Sequence, residues 1–272
     1  MLGLILTDVD TGIFTAKLNH EKRIIANVDV TQIGHHQFMG ILLDDFIEGL
    51  SKIRLTKHFQ AEFPASIRRD ISDFIAVKNE KTTTKRVFEC IQKHLKRDHI
   101  VFADIGDALF GSADLILDQN CYLACAYFAS LGFATPGCIG AQFAKPKQRV
   151  IGIIGDGAFQ MTSMELSTAV RYHLDPIIIV LNNHGYGTER PIIEGSYNDI
   201  QDWNYAEIPK VLQGGIGIRV TTEDQFENAL KKALEERGTF YLIEVELDKT
   251  DFSPAMRRFS ALVNETSLKN SN

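Results

Sequence analysis

From residue 84 to residue 248, short runs rich in Ile and Val alternate with stretches of helical period, a pattern that few architectures satisfy. The runs at 149–154 and 176–181 are apolar almost throughout. Both faces of each strand must therefore be covered, which implies a parallel sheet with helices on both faces. The spacing predicts helices over 84–96, 132–144, 159–173 and 222–237, with further strands over 99–103, 216–220 and 240–247. Thr222 and Gln225 have the spacing of a capping box, and Gly238 marks the end of that helix.

Upstream the pattern is different. Residues 2–7 and 13–18 read as strands about an Asp10-Thr11-Gly12 turn. Ile41, Leu42, Phe46, Ile47 and Leu50 recur at helical spacing within 40–53. A charged stretch containing Pro64 follows and reads as a linker. The expected organisation is a partial domain over 1–57, a linker over 58–83 and the main α/β domain over 84–272. No internal repeat is visible.

Composition narrows the function classes. The 272 residues are 44% hydrophobic, enough for a globular core. With 29 Lys plus Arg against 35 Asp plus Glu, and no basic run interleaved with aromatics, nucleic acid is not the expected partner. The apolar start, Met1 to Leu6, meets Asp8 and Asp10 too soon for a signal peptide or a membrane span, so a cytoplasmic location is expected. Cys90, Cys121, Cys125 and Cys138 form no CxxC pair and read as buried free thiols.

The chemistry concentrates where strands end. Gly155-Asp156-Gly157 follows one predicted strand and Asn182-Asn183 the next, with 27 residues from Asp156 to Asn183. That interval holds a turn, a helix of about four turns and a return strand, so one right-handed crossover places both polar groups at the carboxyl edge of the sheet. Ligands of open parallel sheets bind at that edge. Glycines let backbone approach phosphate closely, and Asp156, Asn183 and a following carbonyl are hard oxygen donors suited to Mg²⁺. Alone, Gly-Asp-Gly is equally an ordinary hairpin turn; its pairing with Asn-Asn favours a diphosphate site. No GxGxxG supports a dinucleotide site, and no Gly-Lys-Ser/Thr supports a P-loop.

This constellation resembles the cofactor signature of thiamine diphosphate enzymes. Four segments narrow the resemblance to the pyruvate, indolepyruvate and phenylpyruvate decarboxylase group: Ile105-Gly106-Asp107, Leu131-Gly132-Phe133, Gly157-Ala158-Phe159-Gln160-Met161-Thr162, and Asn183-His184-Gly185-Tyr186-Gly187-Thr188-Glu189. Tyr197-Asn198-Asp199-Ile200 and Trp203-Asn204-Tyr205 also fit, so the likeness covers nearly the whole chain. It implies a thiamine diphosphate-binding fold preceded by a partial Rossmann-like middle domain.

Residue by residue, the resemblance implies that Asp156, Asn183 and the carbonyl of Gly185 hold Mg²⁺. Asp107 and the Gly155–Ala158 turn, through the backbone of Gly157 and Ala158, would hold the diphosphate; Ser is common where Ala158 stands. Leu131 would bend the cofactor, and the carbonyl of Ala129 would accept from its amino group. Glu189 matches a glutamate that relays protons, whereas by its residue type alone it would read as a surface carboxylate. Leu109, Thr188 and Ile192 would line the pocket for a small 2-oxo acid. The pair His35-His36 does not match the family's catalytic histidines, which belong to an N-terminal domain, and reads as structural or solvent-facing.

Relatives of this kind have three domains, the first supplying a glutamate to the pyrimidine ring across a subunit interface. The chain therefore reads as lacking that pyrimidine-binding domain, incompetent alone, and part of a homo-oligomer or of a two-chain enzyme. Residues 1–57 are expected to be rearranged, poorly ordered or paired with another chain. A carboligase portion of the acetolactate synthase type and a non-catalytic cofactor-binding or assembly module are the alternatives; the first would not be expected to carry a glutamate at Glu189.

Overall fold

The structure, a computed structural model, describes residues 1–8, 10–12, 15–54 and 74–270. The chain divides into two compact units, one formed by Met1–Arg68 with Leu262–Asn272 and the other by Arg69–Ala261. Most of the segment read as a linker lies outside the described residues. Its last part, from Phe74, packs on the second unit: the Phe74 ring is buried beneath the Arg86 guanidinium, and Thr82 N donates to the carbonyl of Thr221.

In the second unit, six strands form one parallel sheet: β4 (Ile100–Ala103), β5 (Tyr122–Ala124), β6 (Val150–Gly155), β7 (Ile177–Asn182), β8 (Ile216–Val220) and β9 (Tyr241–Glu246). Their order is β5-β4-β6-β7-β9-β8, and every pairing is parallel. Successive side chains of a strand face opposite ways, and here both faces are apolar. Ile177, Ile179 and Leu181 of β7 enter one core beneath α2 (Thr84–His94) and α8 (Glu223–Glu235). Ile178 and Val180 enter a second core beneath α4 (Ala134–Ala144), α5 (Asp156–Thr162) and α6 (Leu166–Arg171). Each fully buried Ile contributes about 1.5–3 kcal/mol, so the central strands anchor whatever follows them. The small residues of α4 have a packing reason, because a Cβ on Gly137 would come within 2.7 Å of the Phe102 ring.

Several local expectations need correction. The helix expected over 159–173 is two helices separated by a 3-10 turn at Ser163–Glu165, and it begins earlier, at Asp156. Thr222 is the N-cap residue of α8 but makes no capping bond; its hydroxyl donates to Asp224, while Gln225 accepts from the Thr221 amide. Strand β5, the short helices α3 (Asp107–Ser112) and α7 (Ile208–Val211), and α9 (Pro254–Asn270) carry no signal in the sequence pattern.

The first unit holds an antiparallel sheet of β1 (Ile24–Ala26), β2 (Val30–Ile33) and β3 (His36–Met39), followed by α1 (Leu43–Ser51). A Rossmann-like segment would show parallel strands; among the described residues here the one parallel pairing is a bridge between Leu2 and Ala26. The strand expected over 2–7 is reduced to that bridge. Of the one expected over 13–18, Ile13 and Phe14 lie outside the described residues and the rest is not strand. Val28, Met39, Ile47 and Leu50 are exposed, and so are His35 and His36. No described helix is long and apolar enough to cross a membrane. All four cysteines are free, and only Cys125 is not buried.

Candidate functional site

Strands β6 and β7 are hydrogen-bonded neighbours in which Gly155 pairs with Leu181. The residues just beyond, Asp156 and Asn183, therefore emerge side by side at the carboxyl edge, as the crossover spacing requires. They open into a cleft of about 310 Å³. Of the residues singled out from the sequence, Asp107, Leu131, Gly155, Asp156, Gly157, Ala158, Asn183, Gly185, Thr188 and Glu189 line it. Ala129, Leu109 and Ile192 do not. Ala129 is exposed in a left-handed turn with φ of +53°, and Leu109 and Ile192 are half-buried nearby in sequence.

The cleft floor is a buried carboxylate. Asp156 is fully inaccessible; its Oδ1 accepts from Gly157 N at 2.7 Å and its Oδ2 from Gly185 N at 2.9 Å. Burial raises its pKa to about 6 against the pull of those two amides. Beside it the amide oxygen Oδ1 of Asn183 is buried without any hydrogen-bond partner. An orphaned oxygen costs about 1–3 kcal/mol, which a cation would recover. Among the described residues no group of three or more His, Cys, Asp or Glu side chains converges to hold a metal. The donor set here is of another kind: one carboxylate, one amide oxygen and backbone carbonyls, the hard oxygens that Mg²⁺ prefers. These residues fit a magnesium diphosphate.

The loop after Asn183 fits closely around that set. His184 and Gly185 take left-handed φ values of +60° and +143°, and a Cβ on Gly185 would lie 2.0 Å from the carbonyl oxygen of Asn198. Only glycine is compatible with that position. The His184 imidazole lies between Asp202 at 2.9 Å and Glu246 at 3.0 Å; burial lowers its pKa, but the two carboxylates outweigh burial and raise it. On the opposite wall, Asp107 opens α3, its Oδ2 accepting from Ser253 N at 2.7 Å while Oδ1 is buried and unpaired. Burial raises the pKa of this carboxyl as well. Glu189 is exposed, at the rim.

Three supporting residues were missed. Asp104 follows β4 directly, is fully buried, and accepts from Ile105 N, Gly132 N and Ala134 N, thereby holding the Leu131 loop. Glu244, inside β9, binds Asn182 Nδ2 with one oxygen and Ala206 N with the other, both at 2.9 Å. Arg190 lies buried behind the Gly185 loop. A charge within or just after an apolar strand is a readable signal, since buried charges must be paired. Their partners are not readable, because they lie up to 62 residues away.

The comparisons with known proteins agree with this geometry. Residues 104–245, a span containing the whole cleft, match the family described as thiamine pyrophosphate enzyme, C-terminal TPP binding domain. An indole-3-pyruvate decarboxylase of Azospirillum brasilense is 33% identical over 266 residues, covering 95% of this chain and 47% of the relative. Pyruvate decarboxylase 2 of Arabidopsis thaliana is 31% identical over 271 residues, covering 96% and 44%. An alpha-keto-acid decarboxylase of Mycobacterium tuberculosis is 28% identical over 254 residues, covering 92% and 45%. The chain thus spans about half the length of the curated relatives it matches. With the family match covering just over half of its residues, all of the cleft among them, this chain belongs to the thiamine pyrophosphate enzymes and carries their C-terminal TPP-binding domain.

Proposed function

We propose that this chain is the diphosphate- and magnesium-binding portion of a 2-oxo acid decarboxylase, a lyase that releases an aldehyde and CO₂. The observation that carries the reading is the buried, partnerless Oδ1 of Asn183 beside the buried carboxylate of Asp156, at the ends of adjacent parallel strands. The names of the relatives, all decarboxylases of 2-oxo acids, support the reaction class.

In this reading Asp156, Asn183 and the Gly185 carbonyl hold Mg²⁺, and the backbone of Gly157 and Ala158, at the start of α5, would hold the diphosphate, the Gly157 amide sharing its proton with Asp156 Oδ1. Asp107, whose pKa burial raises, is a credible phosphate contact only in its protonated form, donating from Oδ1. Leu131, on the cleft wall, would support the cofactor from beneath; the Ala129 carbonyl, outside the cleft as it stands, would accept from its amino group. Thiamine diphosphate, when bound, supplies the electron sink that loss of CO₂ from a 2-oxo acid requires. At the rim Glu189 would hold and return a proton, with Thr188 lining the space for a small substrate and Leu109 and Ile192 outside the cleft as it stands.

Leu123, Tyr127 and Phe128 of the second unit are exposed apolar side chains, Phe128 by 80%, which supports burial against a further domain or another copy in a cytoplasmic oligomer. In this reading the 272 residues by themselves do not decarboxylate, because they match only about half the length of the relatives whose names give the reaction. Calorimetric titration of thiamine diphosphate with and without Mg²⁺ tests the site. Binding should need Mg²⁺ and be abolished in Asp156→Ala; equal affinity in that variant would overturn the assignment.

A further inference from the structure

The stretch from His184 to Glu189 carries a proposed metal contact, a pocket residue and the proposed proton relay, yet it lies in neither helix nor strand. Its internal backbone bonds are short-range, Gly187 N donating to the Gly185 carbonyl at 2.9 Å and Glu189 N to the Tyr186 carbonyl at 3.2 Å. Gly185 N donates to Asp156 Oδ2, and Tyr186 N donates to the Asn198 carbonyl at 2.8 Å. The His184 ring is held by Asp202 and Glu246, and a further side-chain tie to the backbone of this stretch is Arg190. Arg190 Nη2 donates to the His184 carbonyl at 3.1 Å, to Asp199 Oδ1 at 2.6 Å and, at 3.4 Å, to the Asn198 carbonyl. Its Nη1 donates to Glu194 Oε1 at 2.8 Å.

The burial of this group is asymmetric. The Arg190 side chain is 2% exposed, whereas its partners Glu194 and Asp199 are 59% and 56% exposed. The carboxylates neutralise the guanidinium from the solvent side and leave its inner edge to grip backbone. That edge lies 2.9 Å from where a Cβ of Gly185 would stand, so it packs directly on the residue whose carbonyl is the proposed ligand. Only a planar fork with fixed N–H directions spans two carboxylates and two carbonyls at once; an ammonium is a single point.

We infer that Arg190 is a positioning residue that fastens His184 to the Asn198–Asp199 segment and so aims the Gly185 carbonyl before any cation arrives. This rests on the magnesium site proposed above. A loop already held in its bound shape is spared the ordering cost at the moment of binding, so removing the clamp weakens the metal without altering the donors themselves.

The test compares the full chain with Arg190→Lys and Arg190→Met. Amide hydrogen exchange is followed without ligand, and thiamine diphosphate is titrated at rising Mg²⁺. Amides of 184–190 should exchange about tenfold faster or more in both variants, while β6 and β7 keep wild-type protection. The Mg²⁺ needed for half-maximal cofactor binding should rise about tenfold, with cofactor affinity returning to within about threefold of wild type at saturating Mg²⁺. A merely structural role would lower protection across β6 and β7 and would not be rescued by Mg²⁺. Unchanged loop exchange, a Lys variant equal to wild type, or loss of strand protection would each overturn the inference. A wild-type chain that binds no cofactor at any Mg²⁺ concentration would instead overturn the site reading, and exchange alone would then decide whether Arg190 holds the loop.

Discussion

Gly187→Ala separates metal positioning from folding. Gly187 does not have a left-handed φ, so its backbone accepts a side chain, and in the unfolded chain Ala has less freedom to lose. That term alone stabilises by about 0.4–1 kcal/mol. The new methyl, however, would stand 2.2 Å from Nδ2 of Asn183, well inside contact distance. Nδ2 is the end of a rotatable side chain, so the amide turns while the backbone stays. Such a turn costs about 0.5–1.5 kcal/mol and carries Oδ1 away from the direction it shares with Asp156. Stability should therefore change by less than about 1 kcal/mol, because the two effects oppose one another. The Mg²⁺ required for half-maximal thiamine diphosphate binding should rise about threefold to tenfold, the equivalent of that turn. Urea unfolding and calorimetry on the same preparation measure the two quantities. Gly140→Ala is the control: it lies on the exposed side of α4 with nothing within 4 Å of the new Cβ, and it should gain about 0.5–1 kcal/mol with binding unchanged. A Gly187→Ala chain with wild-type Mg²⁺ dependence would refute the role given to Asn183.

Two further outcomes follow from other parts of the molecule. In an enzyme completed by the portion its relatives carry upstream, Glu189→Gln should cut aldehyde release by about 10² or more while leaving cofactor affinity near wild type, and equal turnover would return Glu189 to an ordinary surface carboxylate. Burial alone would raise the Glu227 carboxyl, but Lys93, His94 and Lys231 outweigh it and hold it at about 2, against 4.5 unfolded. A depressed folded value stabilises fully above the unfolded one and is lost as pH falls through the folded one, so the advantage of wild type over Glu227→Gln should shrink by up to about 3 kcal/mol between pH 6 and pH 2. A difference constant over that range, in urea midpoints, would remove the ion cluster from the account.

The elements that the sequence made legible are those whose signal is local. Strand β8 runs over the expected residues, and β6 and β7 differ from expectation by one residue at each end; in β6 and β7 the signal is an apolar run that must bury both faces. The same locality explains the failures. Tyr122-Leu123-Ala124 is too short to show a period and becomes a strand only by pairing with β4. Thr162 breaks the α5–α6 segment with φ of −135° and ψ of 15°, which no apolar pattern announces. At the site, Asp156 and Asn183 were legible because each directly follows a strand. The bridge of Glu244 was not, because its partners lie 62 and 38 residues away, and the clamp of Arg190 was not, because its partners, although within nine residues, lie on a loop with no readable period.

What the fold contributes to this site is a set of buried carboxylates that act as acceptors for loop amides. Asp104 holds the loop carrying Leu131 through Gly132 N and Ala134 N. Asp156 joins the ends of β6 and β7 through Gly157 N and Gly185 N, and Glu244 fixes Asn182 and Ala206. Each replaces water with oriented N–H groups, which is the condition under which a buried carboxylate is tolerated. The three strands that carry or precede them, β4, β6 and β9, sit inside the sheet order, with edge strands β5 and β8 outside them. The anchors are thus rooted in the two apolar cores, while the groups proposed to meet substrate, Thr188 and Glu189, sit on the loop beyond. Such a division would let the rim change in sequence without disturbing the acceptors behind it, which in the proposed reading place the metal and the diphosphate.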